Sequence, residues 1–414
     1  MKWFYSIITI ASICSILSSY IITQNLNFKD DHEFLLTVVI MVKNESEVII
    51  PTLQPFIDAG ITSYLVYDTG STDGTQNIIR EHFNNCHIEH AYIIEEPFVD
   101  FATSRNRALR LAEQIFVNNT FLVMLDAEWY THNVSELIDF CKIHKNYIAP
   151  NCTGSCYLTR LFTVADAINN YTPRLIRQGC NVCYSGVVHE AITDIPSGIV
   201  PDSVYFEYKP QQSGRDKSTA RYCRDYALLK KSHENDPTNM RTLFYLGQTC
   251  QFMDDWEQAI FYYQKRLEMG ELSIEKYLAA YRIGCAIEHI IAHNPLQKKY
   301  TEEDAVNYFL KAYNMLPYRV EPLFRIACYY IRHDQPAIAY LFAVRAAQLP
   351  YPSHDTLFIE NRVYDYLRYD ILGQCAMYVG EFGIGKAAVQ QALTVASHDE
   401  HLYHNLSVYE RYIG

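Results

Sequence analysis

Between residues 33 and 128 short apolar runs alternate with stretches of helical periodicity, which leaves the first half of the chain very few folds. Leu35–Val42 reads as a buried strand and Glu47–Ala59 as a helix with Pro51 in its first turns. Tyr64–Tyr67, Ile88–Ile94 and Phe121–Leu125 read as further strands, with helices expected over Thr75–Phe83 and Ala102–Phe116. Strand followed by helix at this spacing predicts a parallel sheet covered on both faces. Ligands of such sheets bind beyond the carboxyl ends of the strands. Asn44, Asp68 and Asp126 each fall at or just past such an end, so they are expected on one rim.

Residues 151–214 read as irregular, and Ser213–Lys217 as a hinge. From Ser218 the pattern is helical almost throughout, and a spacing recurs. Gly247 is followed by Ala259 and Tyr263, Ala327 by Ala339 and Ala343, and Gly373 by Gly385 and Val389. Gly284 opens a further unit carrying Ala305 and Phe309, with extra residues near 290–300. Small residues at these positions allow two helices to cross closely, the pattern of tetratricopeptide-like helix pairs, here longer than 34 residues.

Charge narrows the partners. The chain carries 35 Lys and Arg against 47 Asp and Glu, a net −12, which disfavours nucleic acid as a partner. The excess sits in residues 1–214, with 13 basic and 23 acidic side chains, so a phosphate-bearing ligand there needs a cation or a local cluster of donors. Cys180 and Cys183 form the one C-x-x-C, and with Cys152 and Cys156 they could make a four-thiolate zinc site, disulfides or buried free thiols. Trp3–Thr23 is an uncharged run of 21 residues, long enough to span a bilayer. It exceeds a usual signal-peptide core and lacks an A-x-A site, which favours a single-pass anchor over a cleaved signal. Lys2 ahead of it places the body on the non-cytoplasmic side, in the secretory pathway, where Asn118, Asn133, Asn151, Asn170 and Asn405 would be glycosylation acceptors. Cleavage would make the protein secreted.

Several residues can carry chemistry. Asp68 ends a strand before a glycine-rich turn, where it can accept from a ring N–H or a ribose hydroxyl. Ser71 and the turn amides can face polar ligand groups, and Asp73 is either a ligand contact or a helix N-cap. Asp126 and Glu128 can hold a divalent cation, Mg²⁺ or Mn²⁺, against a diphosphate; the alternative is a solvated turn. Arg105 can bind phosphate or anchor the acidic rim. His189 and Glu190 pair an imidazole with a carboxylate, a combination that suits a base beside a metal ligand or a plain structural histidine.

Together these stretches, Val42–Glu45, Asp68–Thr75, Asp100–Asn106, Leu125–Glu128 and Gly186–Glu190, resemble family 2 glycosyltransferases of the GT-A fold. The likeness is greatest to the subgroup with tetratricopeptide repeats behind the catalytic domain, and it covers about residues 35–265. It implies an α/β GT-A-type nucleotide-sugar-binding domain over 33–214 followed by an all-α tetratricopeptide-like domain over 215–414; the uncharged run makes 1–32 a hydrophobic anchor or signal segment. The resemblance implies an inverting glycosyltransferase using a nucleotide sugar, UDP-linked by preference, with a glycan, protein or lipid acceptor and a protein partner on the repeats. It places Asp68 on the base, Asn44 and Glu45 near the nucleoside, and Ser71, Asp73, Arg105 and Asn106 around the donor. Asp126 and Glu128 become the metal motif, with His189 beside the metal and Glu190 as the base that deprotonates the acceptor. Two positions depart from the family. Glu128 stands where Asp is usual, which keeps alive a catalytically degenerate domain serving as a binding or scaffold module, and Tyr205–Tyr208 lacks the histidine that relatives carry there.

Overall fold

The computed structural model describes residues 29–146, 156–163, 168–192, 196–209, 218–270, 273–352, 355 and 358–413. The chain divides into two units, up to Asp216 and from Lys217 onward.

The first unit is built on a nine-stranded mixed sheet. Its parallel half consists of β1 (Asp30–Val42), β2 (Ser63–Asp68), β3 (His90–Glu95) and β4 (Phe116–Asp126), in spatial order β3-β2-β1-β4. Helices α1 (Ile49–Asp58), α2 (Thr75–Asn85) and α3 (Phe101–Ile115) make the crossovers. Alternation along β1 explains the layering, because successive side chains of a strand point to opposite faces. Val38, Ile40 and Val42 enter a core with Leu53 and Phe56 of α1, Ile79 and Phe83 of α2, and Leu137 of α4 (Val134–His144). Val39 enters the opposite core with Ala108, Leu109 and Ala112 of α3. The sheet is therefore covered on both faces, as the strand–helix alternation requires.

The described stretches between residues 156 and 209 are more regular than their sequence suggested. β6 (Cys156–Thr163) and β7 (Ile168–Arg177) form an antiparallel pair, and β7 joins the sheet by pairing antiparallel with β4, Val123 against Leu175. β11 (Tyr205–Tyr208) lies parallel to β6 and antiparallel to β5 (Trp129–His132). Short strands β8 (Tyr184–Ser185) and β9 (Ala191–Ile192) pair with each other, and β10 (Gly198–Ile199) adds to β6.

The second unit is helical. In chain order it comprises α5 (Ser218–Asn235), α6 (Met240–Phe252), α7 (Trp256–Glu268), α8 (Ile274–His293), α9 (Glu302–Met315), α10 (Glu321–Arg332), α11 (Pro336–Gln348), a π-helical turn (Val363–Leu367), α12 (Arg368–Tyr378), α13 (Phe382–Leu393) and α14 (Glu400–Ile413). The small residues do what their spacing implied. A Cβ on Gly247 would lie 2.6 Å from the Tyr263 ring, and one on Gly284 would lie 2.4 Å from Phe309. One on Gly373 would lie 2.4 Å from Val389. These contacts join α6 to α7, α8 to α9 and α12 to α13. Gly284→Val is expected to destabilise the unit by about 1–3 kcal/mol through overpacking against the buried Phe309 ring. Gly383→Ala, with open space around the added methyl, should be neutral or slightly stabilising. Urea midpoints of the two variants check this.

The first helix of each pair also carries one cysteine: Cys250 in α6, Cys285 in α8, Cys328 in α10 and Cys375 in α12. Burial pushes their thiols up, to about 12 for Cys250, Cys285 and Cys375 and to about 11 for Cys328.

One sequence expectation is corrected. Among the described residues no helix is long and apolar enough to cross a membrane, so the single-pass assignment is withdrawn. Trp3–Thr23, on which it rested, lies outside the described residues.

Candidate functional site

Register brings the acidic strand ends together. Val42 of β1 pairs with Asp68 of β2, and Met41 of β1 with Asp126 of β4. Two carboxylates from distant stretches thus flank the carboxyl end of the central strand, with α-carbons about 10 Å apart at ordinary strand spacing.

Asp68 is fully buried. Its Oδ1 accepts from the backbone N–H groups of Gly70 and Ser71, both at 2.7 Å, and folds the turn back on the strand. Gly70 has φ 102°, a conformation that a side chain would strain. Oδ2 of Asp68 is buried with no hydrogen-bond partner. A buried carboxylate oxygen without a partner is costly, and a ligand N–H is one group that would satisfy it.

The neighbouring residues lace two loops into one platform. The Asn44 N–H donates to Ser71 Oγ at 2.9 Å, and Asn44 Oδ1 accepts from the Thr72 N–H at 2.7 Å. The Glu45 N–H donates to Thr75 Oγ1 at 2.9 Å and the Ser46 N–H to Asp73 Oδ2 at 3.1 Å. Asp73 Oδ1 also accepts from the Thr75 N–H and hydroxyl. Slight burial would raise the Asp73 carboxyl, but these hydrogen bonds from Thr75 and Ser46 outweigh it and hold it at about 2. Asp73 is therefore a turn-building residue, and the helix N-cap beside it is Gly74, which makes no side-chain cap.

The densest electrostatics lie at the end of β4. α3 starts on the Asp100 carboxylate, which accepts from the Thr103 N–H at 2.7 Å and caps the first turn. One turn on, Arg105 is only 4% exposed and points to the rim. Its Nε donates to Glu190 Oε1 at 2.5 Å, and its Nη2 donates to Asp126 Oδ1. Arg174, on β7, donates to Asp126 Oδ2 at 2.8 Å and stacks 4.4 Å from the Trp129 ring. Burial would raise the Asp126 carboxyl, and the two guanidinium groups hold it below the usual range. Burial works against the Arg105 charge, and the carboxylates of Asp126 and Glu190 more than restore it. Two cations and two anions thus form one compact cluster.

Several donors in this cluster are left over. Nη1 of Arg105, Nε and Nη1 of Arg174 and the Tyr184 hydroxyl are buried without partners. Glu190 Oε2 makes no hydrogen bond among the described residues. Asn106 is committed elsewhere: its amide donates to the Tyr184 carbonyl at 2.8 Å and accepts from the Tyr184 N–H at 2.7 Å. It fastens the 184–190 segment to α3, helped by the Phe101 N–H donating to the Val187 carbonyl. Three rim residues, Asn44, Glu128 and His189, have positive φ of 58°, 67° and 53°. Left-handed backbone in residues other than glycine gathers where ligands are held.

The expected cation site is not preassembled. Among the described residues one group of three metal-capable side chains converges, and it is Asp30, His32 and His90, not Asp126, Glu128 and His189. Both Asp126 oxygens are already engaged by guanidinium groups. His189 is exposed. Of the four-thiolate candidates, Cys156 is buried in β6 and Cys183 is exposed, and Cys152 lies outside the described residues.

No family model matches the chain. Over 238 residues, 56% of this chain, it is 24% identical to the SPbeta prophage-derived glycosyltransferase SunS of Bacillus subtilis (strain 168). The same figures hold for the glycosyltransferase SunS of Bacillus phage SPbeta. The match takes in 53% of those proteins, so the chain spans about half the length of the curated relatives it matches. Solved structures similar to it include YrrB, a TPR protein with an unusual peptide-binding site, at 15% identity and TM-score 0.35, covering 44% of this chain and 82% of that one. MamA is similar at 15% identity and TM-score 0.32, covering 49% and 98%.

Proposed function

We propose that the first unit is an inverting glycosyltransferase of the GT-A type, family 2, which binds a nucleotide sugar across the carboxyl ends of β1, β2 and β4. The observation that carries this reading is the Arg105 cluster, in which one buried guanidinium joins Asp126 to Glu190 beside unpartnered donors. Similarity to a glycosyltransferase over 238 residues supports it.

Asp68 Oδ2 would accept the imide N–H of a uracil, which makes a UDP-linked donor the preferred substrate. Asn44, Glu45, Ser71 and Asp73 would shape the nucleoside platform. The unpartnered N–H groups of Arg105 and Arg174 would take up charge on the departing diphosphate. Glu190, oriented through Oε1 by Arg105, would take the acceptor proton on Oε2 as the acceptor oxygen attacks the anomeric carbon. The bond from that carbon to the diphosphate breaks in the same displacement, which inverts the centre. As placed, Asp126, Glu128 and His189 do not fit a resident cation, so no step is assigned to one. Protein, glycan and lipid acceptors all suit this chemistry, and the helical unit would hold the acceptor or a partner protein.

Melting temperature against a panel of nucleotide sugars, with and without Mn²⁺ or Mg²⁺, tests the reading. A UDP-sugar should raise it, and Asp68→Asn, which keeps the turn acceptor but puts an amide at the second position, should remove the gain. No gain with any donor would sink the proposal. The doubly paired Asp126 favours a second reading, a degenerate domain that binds donor without turnover. Stabilisation by donor with no transfer or hydrolysis product, with either metal present, would establish that one.

A further inference from the structure

A second polar cluster lies at the opposite end of β1. Asp30 opens that strand, and its side chain is only 4% exposed. Its Oδ1 lies 2.7 Å from His32 Nδ1, and its Oδ2 lies 2.6 Å from His90 Nδ1. The Tyr92 hydroxyl donates to Oδ2 at 3.4 Å. One ligand atom from each of Asp30, His32 and His90 lies within 4.8 Å of the others. The two imidazole centroids are 4.4 Å apart, and the His90 ring rests edge-on to Phe34 at 5.1 Å. An open groove lined by Lys29, Asp31 and these side chains leads to the cluster.

The strand layout explains how these residues meet. β2 lies between β1 and β3, but it begins at Ser63, which pairs with His90 and hydrogen-bonds Thr37 across the sheet. The stretch Asp30–Phe34 therefore runs on past the start of β2. A bulge between Asp30 and Glu33 bends it, so Asp30 reaches His90 of β3 with no strand intervening. The side chains alone bridge this gap in the sheet.

We infer that Asp30, His32 and His90 form a binding site for zinc or a similar borderline divalent ion. Two imidazole nitrogens and one carboxylate are a donor set that zinc takes, and water completes the tetrahedron on the exposed side of His32. The ion takes the place of the hydrogen bonds between each imidazole and Asp30, and it clips the start of β1 to β3. The site lies roughly 30 Å or more from the Asp126 cluster, the length of the intervening strand, so it is separate from donor binding.

Zinc titration of the chelator-treated full chain under reducing conditions tests this, followed by calorimetry and melting temperature. One equivalent of Zn²⁺ should bind and raise the melting temperature. His90→Ala and Asp30→Asn should each weaken binding at least 100-fold, whereas Asp126→Asn and the paired Cys180→Ser, Cys183→Ser variant should leave it unchanged. Co²⁺ in place of zinc should give the visible absorption of a tetrahedral nitrogen and oxygen site. Zinc-edge X-ray absorption of the unmutated protein, reading two imidazoles and no sulfur, serves if a variant fails to fold. Absence of stoichiometric binding, sulfur at the edge, or affinity that survives His90→Ala would overturn the assignment.

Discussion

Glu190→Gln is expected to lower sugar transfer by about 10²–10⁴-fold, the range for loss of a general base. The amide retains an oxygen to accept from Arg105 Nε, now at 2.5 Å, so the guanidinium keeps its orientation. What the variant loses is the ability to take a proton on the second position. Donor binding, read as the melting-temperature gain with a UDP-sugar, should therefore change less than about twofold. Steady-state transfer rates at saturating donor provide the check. Activity within tenfold of the unmutated chain would remove Glu190 from the base role, while the same rate loss together with lost donor binding would mark it as a positioning residue for Arg105.

The second large effect belongs to the helical unit. Arg319 is 0% exposed and Glu321 1% exposed, and they form a buried ion pair just ahead of α10 and at its start. Arg319 also donates to Asp355 at 3.0 Å and to the Phe358 carbonyl at 2.9 Å, with its guanidinium 4.9 Å from the Tyr277 ring. Glu321 Oε2 accepts from the Tyr364 hydroxyl at 3.0 Å and the Tyr277 hydroxyl at 3.3 Å. Burial opposes the Arg319 charge, but its acidic partners keep it protonated. Glu321→Ala would leave that cation with Asp355 as its one carboxylate partner and two hydroxyls without an acceptor. A loss of about 3–5 kcal/mol is expected, the range for breaking a buried pair. The double variant Arg319→Met, Glu321→Leu should recover much of it, because neither charge then remains buried. Urea unfolding followed by far-ultraviolet circular dichroism measures both. A loss below about 1 kcal/mol for Glu321→Ala would show that water reaches the pair.

What the sequence made legible was periodic or local. The strand ends could be placed because buried strands are short apolar runs that stop where polar turns begin, which located Asn44, Asp68 and Asp126. The close helix crossings could be placed because a small residue must face a large one at fixed spacing, as with Gly247 and Tyr263. The rest depended on pairing between distant segments. Arg174 reaches Asp126 only because β7 runs antiparallel to β4, a register set by the whole sheet and by no local pattern. Tyr184 enters through the amide of Asn106, 78 residues earlier. The Asp30 cluster needs His90 from a strand that is not its neighbour. Asp73 and Asn106 have side chains suited to ligands, and in the structure they also fasten the 71–75 turn and the 184–190 segment through hydrogen bonds that no local pattern announces.

Four of the five thiols of the helical unit, one in the leading helix of each pair, equip the chain with its own set of timers. A thiol held near 12 is almost wholly protonated at neutral pH, which slows its alkylation while its hairpin stays closed. Alkylation rates at Cys250, Cys285, Cys328 and Cys375, read peptide by peptide, would therefore report whether the repeats come apart together or fray in sequence from one end.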